Sequence, residues 1–498
     1  MDYIQKIENN TALNISEIPE LRYEAFISQL ASITSTTNRH CVAYFGVPES
    51  GRIKLFALIA DDLDGSIFTL SSLATAGDSL PSLTAMRPAF HLFERELAEK
   101  FGFQFIGHPW MKPMRYSHDR YDRNQTPENH SFYHIDSEQS HEVGVGPVHA
   151  GVIEPGHFRF SCSGEKIIHL ETQLGYQHRG IENLMLTAKN DMQRWALSQS
   201  IAGDNVGGHV TAYSYLWEAL CGFETTPELH WERCMAQELE RMAVHSGDLS
   251  ALSGDVAFQL GNAVWGRLRT PIINFFQAWC GNRLAKPLLH PANVRFPFSH
   301  QLAEKLNLIL SDFEPDFVEI SHSFFNLPSV LARLEKTGIV TTDFAEEAGL
   351  VGMAARSAGL LRDLRSTHPY GLYKTTPHEA IVKHHGDVYS RAQIRKEEVL
   401  QSMGYIRNWL NDIPQINNTY TLKQPKTNTL AVSLTEGWRG QVCHCAVTNN
   451  YGQLIAYKIV DPSFFNWSAL EFAVRENGIS DFPVCNKSFN LSYTGFDL

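Results

Sequence analysis

Two histidines bracket a turn-rich stretch, His149 in G-P-V-H and His157 in E-P-G-H. Imidazole exchanges a proton near neutral pH, so such residues are the first candidates for donor or acceptor work. Further on, L-G-Y-Q-H-R-G sets His178 beside Arg179, and E-L-E-R-M-A-V-H-S-G-D-L places Glu238, Arg241, His245 and Asp248 at helical spacing. From the residues alone, each candidate has a plain reading next to a chemical one. His157 is either a loop histidine bonded to backbone or a site residue. His149 reads as a hydrogen-bonding residue that ties down a hairpin. Asp248 is either a buried partner of Arg241 or His245, or the carboxylate of a site. His178 and Arg179 fit an inter-helix ion pair as well as a functional charge.

The cysteines point away from soft-metal chemistry. They stand at 41, 162, 221, 234, 280, 443, 445 and 485, and none makes C-x-x-C, the spacing that zinc and iron–sulfur sites use. Cys443 and Cys445 alternate within Q-V-C-H-C-A-V, as a strand would present two residues on one face, and read as buried core thiols. Unpaired thiols throughout suit a reducing compartment.

The elements that would hold these residues follow from periodicity. Residues 53–60 and 66–73 are short apolar runs suited to strands, and 88–103 is helical by period with a C-cap at Gly102. These predict a small α+β domain over 1–114. Residues 115–143 are polar, carry His118, His130, His134 and His141 without ligand spacing, and read as a linker or a wrapped surface segment. The remainder, 144–498, opens with a hairpin turning at Gly164–Glu165. It continues as long amphipathic helices to about Leu410 and ends in three strand-like segments after Thr429. The fold class expected is α+β: the small domain plus a large, mainly helical bundle with a β cap built from both ends of its sequence. With 498 residues, 43% apolar content and a net charge of −12, the chain is too long for one core and too acidic for a nucleic-acid binder. No run of about 18 apolar residues suggests a membrane span, and the start M-D-Y-I-Q-K-I-E-N-N lacks a signal-peptide pattern.

Two blocks carry a family resemblance. F-E-R-E-L-A-E-K-F-G-F-Q-F-I-G-H-P, from Phe93 to Pro109, resembles the signature of the 30 kDa subunit of NADH:quinone oxidoreductase, with Glu99 where that signature has Asp. From about Val143 onward the chain resembles the 49 kDa subunit of the same complex and the large subunit of energy-converting [NiFe] hydrogenases of the formate-hydrogenlyase and hydrogenase-4 type. The matching residues include Gly146, Pro147, His149, Gly156 and His157, then Gly175, His178, Arg179, Gly180 and Glu182. Glu238, Arg241, His245 and Asp248 follow, then Asp387, Tyr389, Arg391 and Arg395, and E-G-W-R-G with Glu436 and Gly440. The hydrogenases have four cysteine ligands at positions where this chain has Ala202, Asn205, Ser492 and Gly495. Nickel and low-spin iron require thiolates.

The resemblance implies a nickel-free large subunit of a complex-I-like or hydrogenase-4-like oxidoreductase, with no metal held by this chain. Its cofactor chemistry would be a quinone accepting electrons from an iron–sulfur cluster in a partner small subunit. His157 falls at the quinone-ligand histidine of the family, and Asp248 at its carboxylate partner. His149, His178 and Arg179 are the further binding candidates. Antiporter-like membrane subunits would be partners, and the chain would lie peripherally on the cytoplasmic face of the inner membrane, without a span of its own. The alternatives implied are a non-catalytic scaffold for an ion-translocating arm and, against the missing thiolates, a working hydrogenase.

Overall fold

The computed structural model describes residues 4–149, 153–415 and 420–498. Its N-terminal sheet orders the strands Gln5–Glu8, Ser66–Ala74, Arg52–Asp61 and Arg39–Glu49 antiparallel, with the short strand Glu20–Leu21 parallel to Ser66–Ala74. The expected strands over 53–60 and 66–73 are the central pair, in register at Ile53↔Ala74 and Leu58↔Thr69. Both faces are covered, so the middle of Arg52–Asp61 is buried continuously rather than in alternation. The helix His91–Phe101 ends where the sequence places its cap: Gly102 takes a φ of 73°, the left-handed conformation that closes many helices. A side chain at Gly102 would also strike the ring of Tyr121, 2.5 Å away.

That ring belongs to the polar segment 115–143, which is wrapped onto the protein rather than strung between two bodies. Glu99 accepts from the backbone N–H groups of Met114, Arg115 and Ser117 at 2.8, 3.0 and 2.9 Å. Glu171 holds Lys112, His130 and the Tyr133 N–H. The end of the segment, His141–Val145, is a strand of a three-stranded sheet with His157–Ser163 and Lys166–Gln173. The hairpin between the latter two turns at Gly164, as expected.

The helical core contains Val206–Cys221, Pro227–Asp255, Gln259–Cys280, His300–Asn326 and Val388–Trp409. The longest, Pro227–Asp255, starts with proline at its first position, where no backbone donor is required. The β cap is two sheets rather than one. The strands Thr429–Gly437, Gly440–Thr448 and Leu454–Val460 form a separate sheet from the 141–173 strands. Its fourth strand, Thr11–Asn14, comes from the N-terminal region, in register at Thr429↔Asn14 and Val432↔Thr11. Among the described residues no helix is long and apolar enough to cross a membrane.

Candidate functional site

The site is built from two loops far apart in sequence. One, 200–205, leads into the helix Val206–Cys221. The other, 490–495, follows the helix Phe482–Phe489. Two arginines staple them together. Arg439 donates from both terminal nitrogens to the Asp204 carboxylate at 2.8 and 2.6 Å, and its Nε donates to the carbonyl of Asn490. Arg179 donates to the carbonyls of Ser200, Ile201 and Thr494 at 2.6, 3.0 and 3.3 Å. Arginine suits this task because its rigid fork addresses several acceptors at once. Trp438 stacks under Arg439 and donates its Nε1–H to the Asp204 carbonyl at 2.7 Å.

The positions that the resemblance marks as ligands lie on these loops. Ala202 is a buried methyl group. The Ser492 hydroxyl accepts from the Gly495 N–H at 2.9 Å and so starts the terminal helical turn. A Cβ at Gly495 would lie 2.6 Å from the carboxyl carbon of Asp461. Asn205 is the residue before the helix Val206–Cys221, where asparagine commonly caps, yet its side chain makes no cap bond. Its carboxamide turns inward, wedged between two glycines: a Cβ at Gly208 would come within 2.5 Å of Oδ1, and one at Gly437 within 2.7 Å. Asn205 is fully buried, and both its amide atoms lack a hydrogen-bond partner. A buried polar group left unpaired costs about 1–3 kcal/mol, so this amide requires an explanation. All eight cysteines are free and buried, with Cys443 and Cys445 at 3.6 Å between sulfurs on one strand face. Among the described residues no three or more of His, Cys, Asp and Glu are gathered as a metal ion would need.

Of the predicted site residues, Asp248 and Arg179 bond these loops, His178 bonds the turn that follows, and His149 and His157 bond Gly156 and Gly146. His157 opens the strand His157–Ser163 and donates from Nδ1 to the carbonyl of Gly146 at 3.2 Å, with its ring against Phe132. Burial and the nearby Arg159 hold its pKa below the ordinary histidine value. His149 donates from Nε2 to the Gly156 carbonyl at 2.8 Å, tying the stretch before 150 to the stretch after 152. That second stretch lies on loop 490–495: a Cβ at Gly156 would meet the Tyr493 ring at 2.6 Å. Asp248 approaches the same loop from the helical side. It accepts from Asn490 Nδ2 at 2.8 Å and pairs with Arg395 and Lys487 at 3.0 and 3.1 Å. Burial raises its pKa, but Lys487 and Arg395 outweigh burial, and the carboxyl stays below its ordinary value. Asp248 thus bonds the loop at Asn490, whereas the His157 ring lies beside Gly146, Phe132 and Arg159, on the strand face opposite Phe158, whose ring is the one that meets Tyr493. His178 donates from Nδ1 to the carbonyl of Asp497 at 2.7 Å, so both members of the His178–Arg179 pair anchor the end of the chain.

Behind Asp248 the helix Pro227–Asp255 lines up Glu238, Arg241 and His245 on one buried face. They meet Arg356, Asp363, Arg365, Glu398 and Glu436 in an ion network. Glu398 bonds His245 at 2.7 Å and Arg365 at 2.6 Å. Burial opposes ionisation of Glu398, yet Arg356, Arg241 and Arg365 hold it well below the usual carboxylate range. Burial and the neighbouring Asp363 push Glu436 up to about 8.

Several residues of the site escaped the sequence reading. Asp204 stands between the ligand positions Ala202 and Asn205, and Arg439 within E-G-W-R-G, and no spacing in the sequence pairs the two. Glu154 faces the backbone N–H groups of Tyr493 and Thr494 and lies in the field of Asp204 and Arg439. Asp461, in V-D-P-S-F, carried only the signal of a helix start before proline.

A polypeptide with this two-part architecture and stapled loop pair has relatives among respiratory and hydrogenase complexes. Residues 17–138 match the family described as respiratory-chain NADH dehydrogenase, 30 Kd subunit, and residues 260–432 match respiratory-chain NADH dehydrogenase, 49 Kd subunit. The chain joins complex-I-like 30 kDa and 49 kDa regions in one polypeptide. It is similar to the carbon monoxide-induced hydrogenase of Rhodospirillum rubrum, 28% identical over 352 residues, covering 70% of this chain and 97% of that protein. Hydrogenase-4 component G of Escherichia coli is 24% identical over 479 residues, covering 93% and 82%. The C/D subunit of the NADH-quinone oxidoreductase of Phocaeicola vulgatus is 27% identical over 398 residues, covering 73% and 76%. The chain is a complex-I-like, hydrogenase-4-like subunit of an oxidoreductase.

Proposed function

We propose that this subunit holds no nickel–iron centre and passes electrons to a quinone at the stapled loops. The observation that carries this reading is the unpaired, fully buried Asn205 amide at a position the resemblance assigns to a thiolate. An Nδ2–H without an acceptor is the group a quinone carbonyl would complete. Soft metals have no thiolate here, and the Ser492 hydroxyl is already engaged. Reduction takes two electrons and two protons to the quinol. Electrons would arrive from an iron–sulfur cluster of a partner small subunit. The chain would sit peripherally on the cytoplasmic face of the inner membrane, where antiporter-like membrane subunits couple the step to ion translocation.

In this reading His157 supplies a proton. Its Nδ1–H is committed to Gly146, so the ring donates from Nε2 only once it is the imidazolium. The depressed pKa makes that cation a ready acid. Asp248 acts through Asn490 to position the loop opposite. His149, His178 and Arg179 hold the loops in place. The test is quinone reduction by the assembled complex. His157→Ala and Asn205→Ala should each lower the rate at least tenfold while the complex still assembles, and elemental analysis should find no stoichiometric nickel. One nickel per chain with hydrogen uptake would overturn the reading.

A second reading, a scaffold without redox chemistry, is favoured by the same slot. The Asn205 amide plugs the space between Gly208 and Gly437. A correctly assembled wild-type complex with no quinone reductase activity would decide for it.

A further inference from the structure

At the edge of the ion network a tyrosine closes a triad. Tyr405, near the end of the helix Val388–Trp409, is half-buried. Its hydroxyl is 2.8 Å from His378 Nδ1, and His378 Nε2 is 3.0 Å from Asp363 Oδ2. The side chains of His378 and Asp363 are fully buried. Arg365 holds Asp363 through Nε and Nη2 at 3.0 and 2.7 Å.

The charges set the hydrogen order. Burial opposes ionisation of Asp363, but Arg365 and Arg356 outweigh it and hold the carboxyl well below the usual range. A carboxylate only accepts, so His378 Nε2–H donates to it. Burial and Arg365 keep the His378 pKa below its ordinary value, so the ring is neutral with a lone pair at Nδ1. Burial pushes the Tyr405 phenol up to about 12. Its O–H therefore donates to Nδ1, and the phenol has a proton acceptor already in place.

Tyr405 also ends a row of oxidisable rings. Trp409 stacks on it, with centroids 5.5 Å apart and planes 13° from parallel. Tyr373 lies 6.3 Å from Tyr405 and 5.8 Å from Trp409, and Tyr370 lies 5.3 Å from Tyr373. The Tyr370 hydroxyl accepts from the Glu436 N–H at 3.0 Å, one residue from the Gly437 that flanks Asn205. Aromatic rings at such separations pass electrons by tunnelling. The inner phenols have poorer proton acceptors. Tyr370 donates to the amide oxygen of Gln237, and Tyr373 to Glu238. Burial raises the Glu238 pKa, but Arg241 and Arg365 bring it below its ordinary value, so it is a weak base.

We propose that Tyr405 is a redox-active tyrosine, with His378 as its proton acceptor, at the outer end of an electron path from the slot. The oxidant is a peroxyl-type radical, R–O–O•, formed where a redox site meets dioxygen. It takes one electron along the row and one proton from water, and becomes the hydroperoxide. Tyr405 loses that electron. Its O–H bond breaks and an N–H bond forms at His378 Nδ1, leaving a neutral phenoxyl beside an imidazolium that Asp363 pairs. An enediol such as ascorbate returns one electron at half-buried Tyr405 and sheds a proton to water. The proton on Nδ1 then moves back to the phenolic oxygen, so the triad resets without a proton crossing the core. The proposal goes beyond the quinone reading and does not depend on it.

The test uses the full chain, oxidised by flash-generated ruthenium(III) tris-bipyridine with persulfate as the electron sink, and read by electron paramagnetic resonance. A long-lived neutral tyrosyl radical should form, and ascorbate should quench it. Tyr405→Phe, which keeps the ring packing, should remove that signal. Tyr451→Phe, at a tyrosine 77% exposed, should leave it. His378→Gln keeps a donor toward Asp363 and an acceptor toward Tyr405 but cannot take a proton, so it should shorten the lifetime about tenfold. Nitrogen-15 histidine should add a coupling to the wild-type signal. An unchanged signal in Tyr405→Phe, a signal lost in Tyr451→Phe or an unchanged lifetime in His378→Gln overturns the proposal. If His378→Gln does not fold, the nitrogen-15 coupling decides: its presence supports the imidazole as acceptor, and its absence overturns it.

Discussion

Arg439 concentrates the contacts of the site in one side chain. It is buried, ties Asp204 to Asn490, and lies over the Trp438 ring at 4.0 Å. Lysine could satisfy one of these acceptors but not the bidentate geometry. Arg439→Lys should therefore cost about 1.5–3 kcal/mol, the range for a lost charge-assisted hydrogen bond. Denaturant unfolding checks this, and a loss within about 0.5 kcal/mol would show that the staple is not required. Glu240 offers a pH test at the same scale. It accepts from the Gly207 N–H at 2.8 Å beside loop 200–205, and burial pushes its pKa up to about 8. A carboxyl raised in the folded state contributes stability that is fully present below its unfolded value near 4.5. That contribution is lost as pH rises through the folded value. The wild type should thus lose stability between about pH 4.5 and 8 on account of this group. Glu240→Gln keeps an acceptor for Gly207 and removes the titration. Its stability relative to wild type should rise across that window, measured by unfolding midpoints at pH 5 and pH 8.5. A constant difference would refute the assignment.

At the scale of elements, the site depends on a helix and a strand meeting without Cβ atoms between them. Gly208 and Gly437 leave a slot into which the Asn205 carboxamide fits. Asn205 is short and wedged from both sides, so it cannot yield to an added methyl on one side without striking the other glycine. Gly208→Ala and Gly437→Ala should each destabilise by about 1–3 kcal/mol, as overpacking does. Asn205→Ala combined with either should recover most of that loss. A double-mutant cycle measures the recovery, and simple additivity would show that the glycines matter for another reason. The elements themselves were largely legible in the sequence. Apolar runs at 53–60 and 66–73, the Gly102 cap and the Gly164 turn all stand where periodicity and turn chemistry put them. What periodicity cannot show is which distant segments pair. The strand Thr11–Asn14 is four residues long and finds its partner more than 400 positions away, through backbone hydrogen bonds that leave no pattern in side-chain type. The same holds for the site. His157 and Asp248 stand out by motif, but their actual partners, Gly146 and the Arg395–Lys487–Asn490 group, are set by tertiary packing.

At the scale of the whole molecule, the sequence pattern leads one to expect a division at 114 and 143, and side chains and strands make contacts across it. Strand Thr11–Asn14 completes the C-terminal sheet. Phe93 packs on Phe464 and Phe465, with ring centroids at 4.7 and 5.7 Å. Glu96 binds Lys458 through both oxygens at 2.6 Å and also pairs with Arg115. Burial raises the Glu96 pKa, but Lys458 and Arg115 more than compensate and bring it to about 2, so the carboxylate stays ionised near neutral pH. Separating the two regions would expose the phenylalanine cluster to water and break the Glu96–Lys458 pair, so the apolar contact opposes separation while the freed charges are rehydrated. The polar segment between the regions is the expected first site of proteolysis, because much of it is exposed and outside regular structure. A chain nicked between 115 and 143 should therefore remain one particle in gel filtration under native conditions and part only in denaturant. Glu96→Gln should loosen the nicked particle before it affects the intact chain, since the covalent link still tethers the regions in the latter. Native dissociation of the nicked wild type would mean that the shared sheet and the Phe93–Phe464 contact do not hold the fusion together. The two regions would then act as independent domains joined only by their linker.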